Sequence, residues 1–272
     1  MNTEPLLPLI IEPEQLEKKL NTDRLRIVDL CKHDIYQQNH IPGAVHLEYS
    51  KVTRREPPVM GLLPAMEDLN DILSSLGISP NTHVVAYDDE GGGKACRFLW
   101  TLEAINHPHY SLLNGGLQAW ANEGHPLSNE QVAIEATQYP IHFNQDVIAD
   151  KEYVLSHLRD PSTIILDTRS VEEFNGEKKF AARGGHIPGA VNMDWVLAID
   201  QQCNLRFKSE GDLRTLLEKR GITPEKEIIV HCQTHHRSAH TYILLKSLGF
   251  PRIKGYAGSW SEWGNSSDTP VE

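Results

Sequence analysis

A chain of 272 residues with 39% hydrophobic and 23% charged side chains, and no low-complexity tract, reads as globular. It is long enough for one large domain or two ordinary ones. A formal charge of −11 at pH 7 argues against nucleic acid as a partner, because phosphate binding wants a basic face, so any anion bound here is bound locally.

The opening stretch MNTEPLLPLIIEPEQLEKKL lacks the basic start and long apolar region of a signal peptide. No later segment approaches membrane-spanning length. A cytoplasmic protein without a membrane partner is expected. Cys31, Cys96, Cys203 and Cys232 are widely spaced with no CxxC pair, which suits a reducing compartment better than a disulfide framework.

Residues 26–48, RIVDLCKHDIYQQNHIPGAVHLE, return at 164–194 as IILDTRSVEEFNGEKKFAARGGHIPGAVNMD, with HIPGAV identical. Asp29 and Asp167 stand 138 positions apart but His40 and His186 stand 146 apart, so the second copy carries an insertion of eight residues. Residues 76–108, which hold HVVAYDDEGGGKACRFLW, return at 220–251 with EIIVHCQTHHRSAHTYIL, and LNGGLQAW (113–120) matches YAGSWSEW (256–263). Three matched blocks in one order mean a duplicated domain.

Each copy alternates short apolar runs with helix-like stretches, which predicts an α/β fold of two tandem domains, each a mostly parallel sheet flanked by helices. The expected bounds are 1–127 and 147–272. Residues 128–146, polar and without period, form the linker. TIILD and EIIVHC read as buried strands, and SAHTYILLKSLGF as a helix stopped at Gly249. Pro188 and Gly189 mark a structural turn.

The stretch IIVHCQTHHRS, 228–238, raises the chemical question. Cys232 stands where a strand ends and a helix begins, the place where open α/β sheets present ligands. A tight loop over 232–237 would turn its backbone N–H groups inward, and the helix dipole adds positive potential. Arg237 adds a fixed charge, and His235 and His236 add pH-dependent ones. The loop reads as an anion cradle round a thiolate. Cysteine phosphatases use Cys-x5-Arg, whereas Arg237 closes Cys-x4-Arg and the phosphatase position is Ser238. The shorter ring suits a smaller occupant, such as one sulfur atom carried as a persulfide. A zinc or copper site of His231, Cys232, His235 and His236 would crowd its ligands into one turn, and an inert buried cysteine would not need such polar neighbours.

These blocks together resemble a tandem-domain rhodanese, a thiosulfate:cyanide sulfurtransferase. The resemblance rests on Asp167-x-Arg169 with HIPGAVN, the strand ending at Cys232, and GSWSEW near the C-terminus, and it covers nearly the whole chain. It implies a persulfide on Cys232, cradled by Gln233, Thr234, His235, His236 and Arg237, and chemistry without metal or organic cofactor. Mitochondrial-type thiosulfate enzymes carry C-R-K-G-V-T and mercaptopyruvate enzymes C-G-[ST]-G-V-T. CQTHHR is neither, and is similar to the loop of a bacterial subgroup.

The expected mechanism is ping-pong. Thiosulfate places its oxyanion end near Arg237 and Arg183, Cys232 takes the outer sulfur, and cyanide or a thiol acceptor removes it. His235 and His236 either tune the field or face solvent. A 3-mercaptopyruvate sulfurtransferase and a persulfide carrier serving a partner protein are the alternatives, and a monomer is expected. Asp88 stands at the cysteine position of the first copy, where DDEGGG replaces CQTHHR. A carboxylate cannot carry a persulfide, and three acids at the mouth would repel thiosulfate, so that copy reads as inactive packing. An aspartyl phosphotransferase there would lack a partner acid or metal cluster. Cys96 reads as core, and Trp120, Trp260 and Trp263 as packing.

Overall fold

The computed structural model describes residues 4–272. In chain order, the first half forms β1 (Ile10–Ile11), α1 (Pro13–Glu17), β2 (Leu25–Asp29), α2 (His33–Gln38), β3 (Ala44–His46), β4 (Arg54–Glu56), β5 (Val59–Leu62), α3 (Met66–Ser75), β6 (His83–Tyr87), α4 (Gly93–Glu103), β7 (Tyr110–Leu113) and α5 (Gly116–Asn122). The second half forms β8 (Ile148–Ala149), α6 (Lys151–His157), β9 (Thr163–Asp167), α7 (Val171–Phe174), β10 (Val191–Asn192), β11 (Ile199–Asp200), β12 (Arg206–Phe207), α8 (Glu210–Glu218), β13 (Glu227–His231), α9 (Arg237–Ser247), β14 (Ile253–Tyr256) and α10 (Ser259–Trp263).

Two five-stranded sheets result, in the orders β1-β7-β6-β2-β3 and β8-β14-β13-β9-β10, and every pairing in them is parallel. The topology is therefore the same in both copies, with the central strands flanked by helices, as the alternation of apolar runs and helical stretches requires. β13 is a continuous β-branched run because it is covered on both faces. Ile228, Ile229, Val230 and His231 are all buried. The helix after it, α9, buries Ser238 through Leu245 without a break, so it is enclosed on all sides rather than on one face, with Ser238, His240 and Thr241 among the buried residues. It ends before Gly249, whose φ of +83° supplies the left-handed turn expected there.

The compact units are not simple halves. One takes the chain up to Val52, Pro64–Phe143 and Asp200–Phe207, and the other Thr53–Leu63, Asn144–Ile199 and Lys208–Glu272. A contiguous division at 1–127 and 147–272 misses this exchange of the short two-stranded pieces β4–β5 and β11–β12. In the first unit, Arg206 holds Glu12 and Glu123 at 2.7 and 2.5 Å, and Asn114 Oδ1 accepts from Phe207 N at 2.9 Å. In the second unit, Met60 N donates to Ser261 Oγ at 3.1 Å. Much of the stretch expected as a linker also belongs to the first unit, where Tyr139 is buried and shares a 2.8 Å bond with His107 Nδ1.

The tryptophans pack as expected. Trp120 joins the core of the first unit with Ile27, Val85 and Leu113, and Trp260 and Trp263 join that of the second with Ile165 and Ile229. Trp120 and Trp263 each donate the indole N–H to a proline carbonyl at 2.7 Å, Pro126 and Pro270, so a buried polar handle is satisfied identically in both copies. Among the described residues no helix is long and apolar enough to cross a membrane.

Candidate active site

The candidate site of the second unit lies at the carboxyl ends of β9 and β13, where Asp167 and His231 stand side by side in register. Thr168 N donates to His231 O at 3.0 Å and fixes the exit of β13. Beyond it the loop is anchored through its outer face. Cys232 O accepts from Trp260 N at 2.9 Å, and Gln233 O from Ser261 N at 3.0 Å. Cys232 N donates to Ser259 Oγ at 3.3 Å, and Gln233 Nε2 to Phe180 O at 3.1 Å. With its carbonyls engaged by α10, the loop turns amide N–H groups toward the sulfur. Thr234 N and Ser238 N donate to Cys232, as does the Ser238 hydroxyl.

Cys232 is 1% exposed. Burial pushes its thiol up, yet Arg237 and the donors from Ser238 and Thr234 outweigh burial and hold it below the ordinary range. Cys96, equally enclosed but facing Asp88, is pushed well above the ordinary value, and Cys31, beside Asp29, is raised too. The contrast separates the three by their surroundings: the two buried thiols near carboxylates are raised, and the one among donors is lowered. Cys203 is exposed on the β11–β12 connection.

Arg237, at the start of α9, does two things. Its guanidinium hydrogen-bonds the Cys232 sulfur. It also grips Glu173 through both terminal nitrogens, at 2.6 and 2.9 Å. Burial would lower the arginine, but Glu173 and the thiolate raise it. Burial raises Glu173 in turn, and Arg237 brings its carboxyl below the usual range. Glu173 closes a capping box with Ser170 at the start of α7, a signature legible in SVEEF, whereas its pairing with Arg237 is purely tertiary.

The histidines do not share a centre. His231 Nε2 lies 3.7 Å from Asp167, and burial pushes its ring down to about 4. His235 is fully buried and its Nδ1 lies 2.8 Å from Ser238 Oγ, so the solvent-facing reading does not hold for it. His236 is half-buried against Trp195. Among the described residues no group of three or more His, Cys, Asp or Glu could hold a metal. Arg169, 1% exposed, is held by Asp167 and Gly185 O and lies over the Trp260 ring at 4.4 Å. Arg183 is not gathered into the loop. Its guanidinium donates to Trp263 O and Thr269 O at 2.6 Å, and also to Ser266 O and Thr269 Oγ1, so it fastens the C-terminal segment.

The first unit carries the same loop with a different filling. Leu30 N donates to Tyr87 O and Leu117 N to Asp88 O, both at 2.9 Å, matching the Thr168 and Trp260 bonds above. Asp88 is buried, and its carboxylate accepts from Glu90 N, Gly92 N and Ala95 N at 3.0, 2.8 and 3.0 Å. The cradle of N–H groups is thus closed by the chain's own carboxyl group, which burial pushes above the usual carboxylate range.

Sequence reasoning missed Glu173, Ser259 and Gly61. Ser259 holds Cys232 N from a left-handed backbone, φ +52°, where the first copy has Gly116. Gly61 of β5 lies so close to the Thr234 and Ala257 carbonyls that a side chain there would collide with them.

The chain is 47% identical to a thiosulfate sulfurtransferase of Azotobacter vinelandii over 98% of this chain and 97% of that one. It is 46% identical to a thiosulfate sulfurtransferase of Pseudomonas aeruginosa over the same shares. Among solved structures, an anaerobic ergothioneine biosynthesis enzyme from Chlorobium limicola, in complex with trimethyl histidine, aligns with a TM-score of 0.84 at 21% identity over 97% of this chain and 69% of that one, a likeness of fold. The rhodanese-like domain matches twice, at residues 12–123 and 150–266, so the chain belongs to the rhodanese-like family as a tandem of two such domains.

Proposed function

We propose that the chain is a thiosulfate sulfurtransferase that carries sulfur on Cys232 as a persulfide. The observation that carries the reading is a fully enclosed cysteine held below the ordinary thiol range by Arg237 and by N–H and O–H donors of Thr234 and Ser238. The thiolate attacks the outer sulfur of thiosulfate, a new S–S bond forms, and the old one breaks with its electron pair leaving on sulfite. The negative charge moves to the terminal sulfur, where the loop donors of residues 233–237 stabilise it. Cyanide attacks that sulfur, leaves as thiocyanate and returns the thiolate; a thiol acceptor would take the sulfur in the same way. No proton needs to move in the first half-reaction, so no general base is required. Arg237 serves first to stabilise sulfur charge, since two of its nitrogens are committed to Glu173. Four free thiols fit a cytoplasmic setting.

The mass of the purified protein, before thiosulfate, after it and after cyanide, tests the reading. A gain of one sulfur atom that cyanide removes is expected, and none in Cys232→Ala. No gain in the parent protein, or a gain in the variant, would refute the assignment. Slow cyanide turnover of a stable persulfide would instead mark a carrier for a partner protein, and preference for 3-mercaptopyruvate a different donor.

A further inference from the structure

His235 sits in the loop with φ +57°, in the left-handed region that disfavours any residue with a side chain. The first copy uses Gly91, φ +90°, at the matching position. Glycine therefore suffices for the turn, and the second unit keeps a fully buried imidazole there against backbone strain. Its Nδ1 lies 2.8 Å from the hydroxyl of Ser238, which is itself fully buried and hydrogen-bonded to Cys232. The first copy has Lys94 at the matching position, and that lysine pairs with Asp89 and Glu90. Both members of the pair are thus present in the copy that holds a thiol and absent from the copy that holds a carboxylate.

A serine hydroxyl has one proton and can donate it once. We propose that His235 and Ser238 are a positioning pair, in which the His235 Nδ1–H donates to Ser238 Oγ and so directs the single hydroxyl proton at the Cys232 sulfur. The histidine acts through the serine and touches no substrate. This fixes the tautomer of His235 as the one protonated on Nδ1. The pair deepens the sulfurtransferase reading and rests on it for its purpose, but the hydrogen-bond chain exists without any donor bound.

The other ionisable groups about the sulfur are Arg237 on α9, its partner Glu173 on α7, Asp194, which feels both, His231 below on β13, and His236 in the loop. None of them is changed by substitution at 235 or 238. The test is the pH dependence of Cys232 alkylation by iodoacetamide, without thiosulfate, in a Cys203→Ser background that removes the exposed thiol. Ser238→Ala and His235→Gly should each raise the midpoint by about one pH unit, the scale of one lost hydrogen bond to a charged group. The double variant should shift no further than Ser238→Ala alone, because the two act as one unit. His235→Asn tolerates the left-handed backbone and offers an N–H at nearly the same place, so it should restore most of the midpoint. An unchanged midpoint in Ser238→Ala or in His235→Gly, additive shifts, or asparagine behaving as glycine would overturn the pair. Sulfur uptake by mass is read separately, so failure of the sulfurtransferase reading and failure of the pair are distinguishable.

Discussion

Lowering the pH from 7.5 to 5.5 should destabilise this protein through histidines kept neutral by burial. In the second unit burial pushes His231 down to about 4 and His240 to about 3. In the first unit it pushes His83 and His107 to about 4. His83 shows why the neutral form is built in: its Nδ1 accepts from Leu6 N at 3.3 Å, and its Nε2 lies 2.8 Å from Ser111 Oγ. Ser111 in turn donates to Pro8 O, so the Nε2 must carry the proton and a second proton on Nδ1 would break the Leu6 bond.

A group whose folded pKa lies below its unfolded one binds fewer protons in the native state. Stability from these rings is therefore complete above about pH 6.5 and is lost as the pH falls toward 4. At pH 5.5 an unfolded imidazole is about nine-tenths protonated and a folded one hardly at all, which costs about 1.4 kcal/mol per ring, or roughly 3 kcal/mol for a unit with two. Raised carboxyls oppose the loss, Asp29 and Asp88 in the first unit and Asp194 in the second. Urea unfolding followed by circular dichroism at both pH values, at constant ionic strength, measures the change. Equal stability at pH 7.5 and 5.5, or greater stability at 5.5, would refute the reasoning. So would an unchanged pH dependence in His83→Gln.

Asp88→Asn should destabilise the first unit by about 2–4 kcal/mol, because the amide cannot accept from all three loop N–H groups and presents donors to some of them. Sulfur uptake by Cys232, read by mass, should be unaffected. Glu173→Gln breaks an ion pair whose side chains are 4% and 21% exposed, and should lower the unfolding free energy by about 2 kcal/mol, measured in urea. The amide oxygen can keep one bond to Arg237 while the neutralising charge is gone, so the alkylation midpoint of Cys232 should move down rather than up.

The sequence carries the duplication, the parallel α/β units and the place of Cys232 between β13 and α9, because these follow from local pattern and from the repeat. What escapes it lies in contacts between distant segments. Nothing local shows that Glu173 would hold Arg237, or that Arg183 would spend its donors on carbonyls of Trp263, Ser266 and Thr269. The exchange of β4–β5 and β11–β12 is hidden for the same reason: a short two-stranded ribbon has no core of its own, so its neighbours decide where it belongs.

The first copy serves as a control on what the scaffold itself contributes. Both loops are pinned by the same pair of backbone bonds, to residues 87 and 88 in one and 231 and 232 in the other, and both aim N–H groups at the first residue of the loop. An anion cradle is therefore a property of the duplicated backbone and needs no cysteine. With a carboxylate inside, the cradle is satisfied by a permanent resident, and glycines at 91, 92 and 93 bring no side chains to it. With a thiol inside, the resident must be made anionic, and that is where His235, Arg237 and Ser238 enter, each at a position the first copy fills with glycine or an engaged lysine. What the second unit adds to the shared cradle is therefore this set of side chains round the Cys232 sulfur, and the proposed sulfur chemistry rests on them as much as on the cysteine.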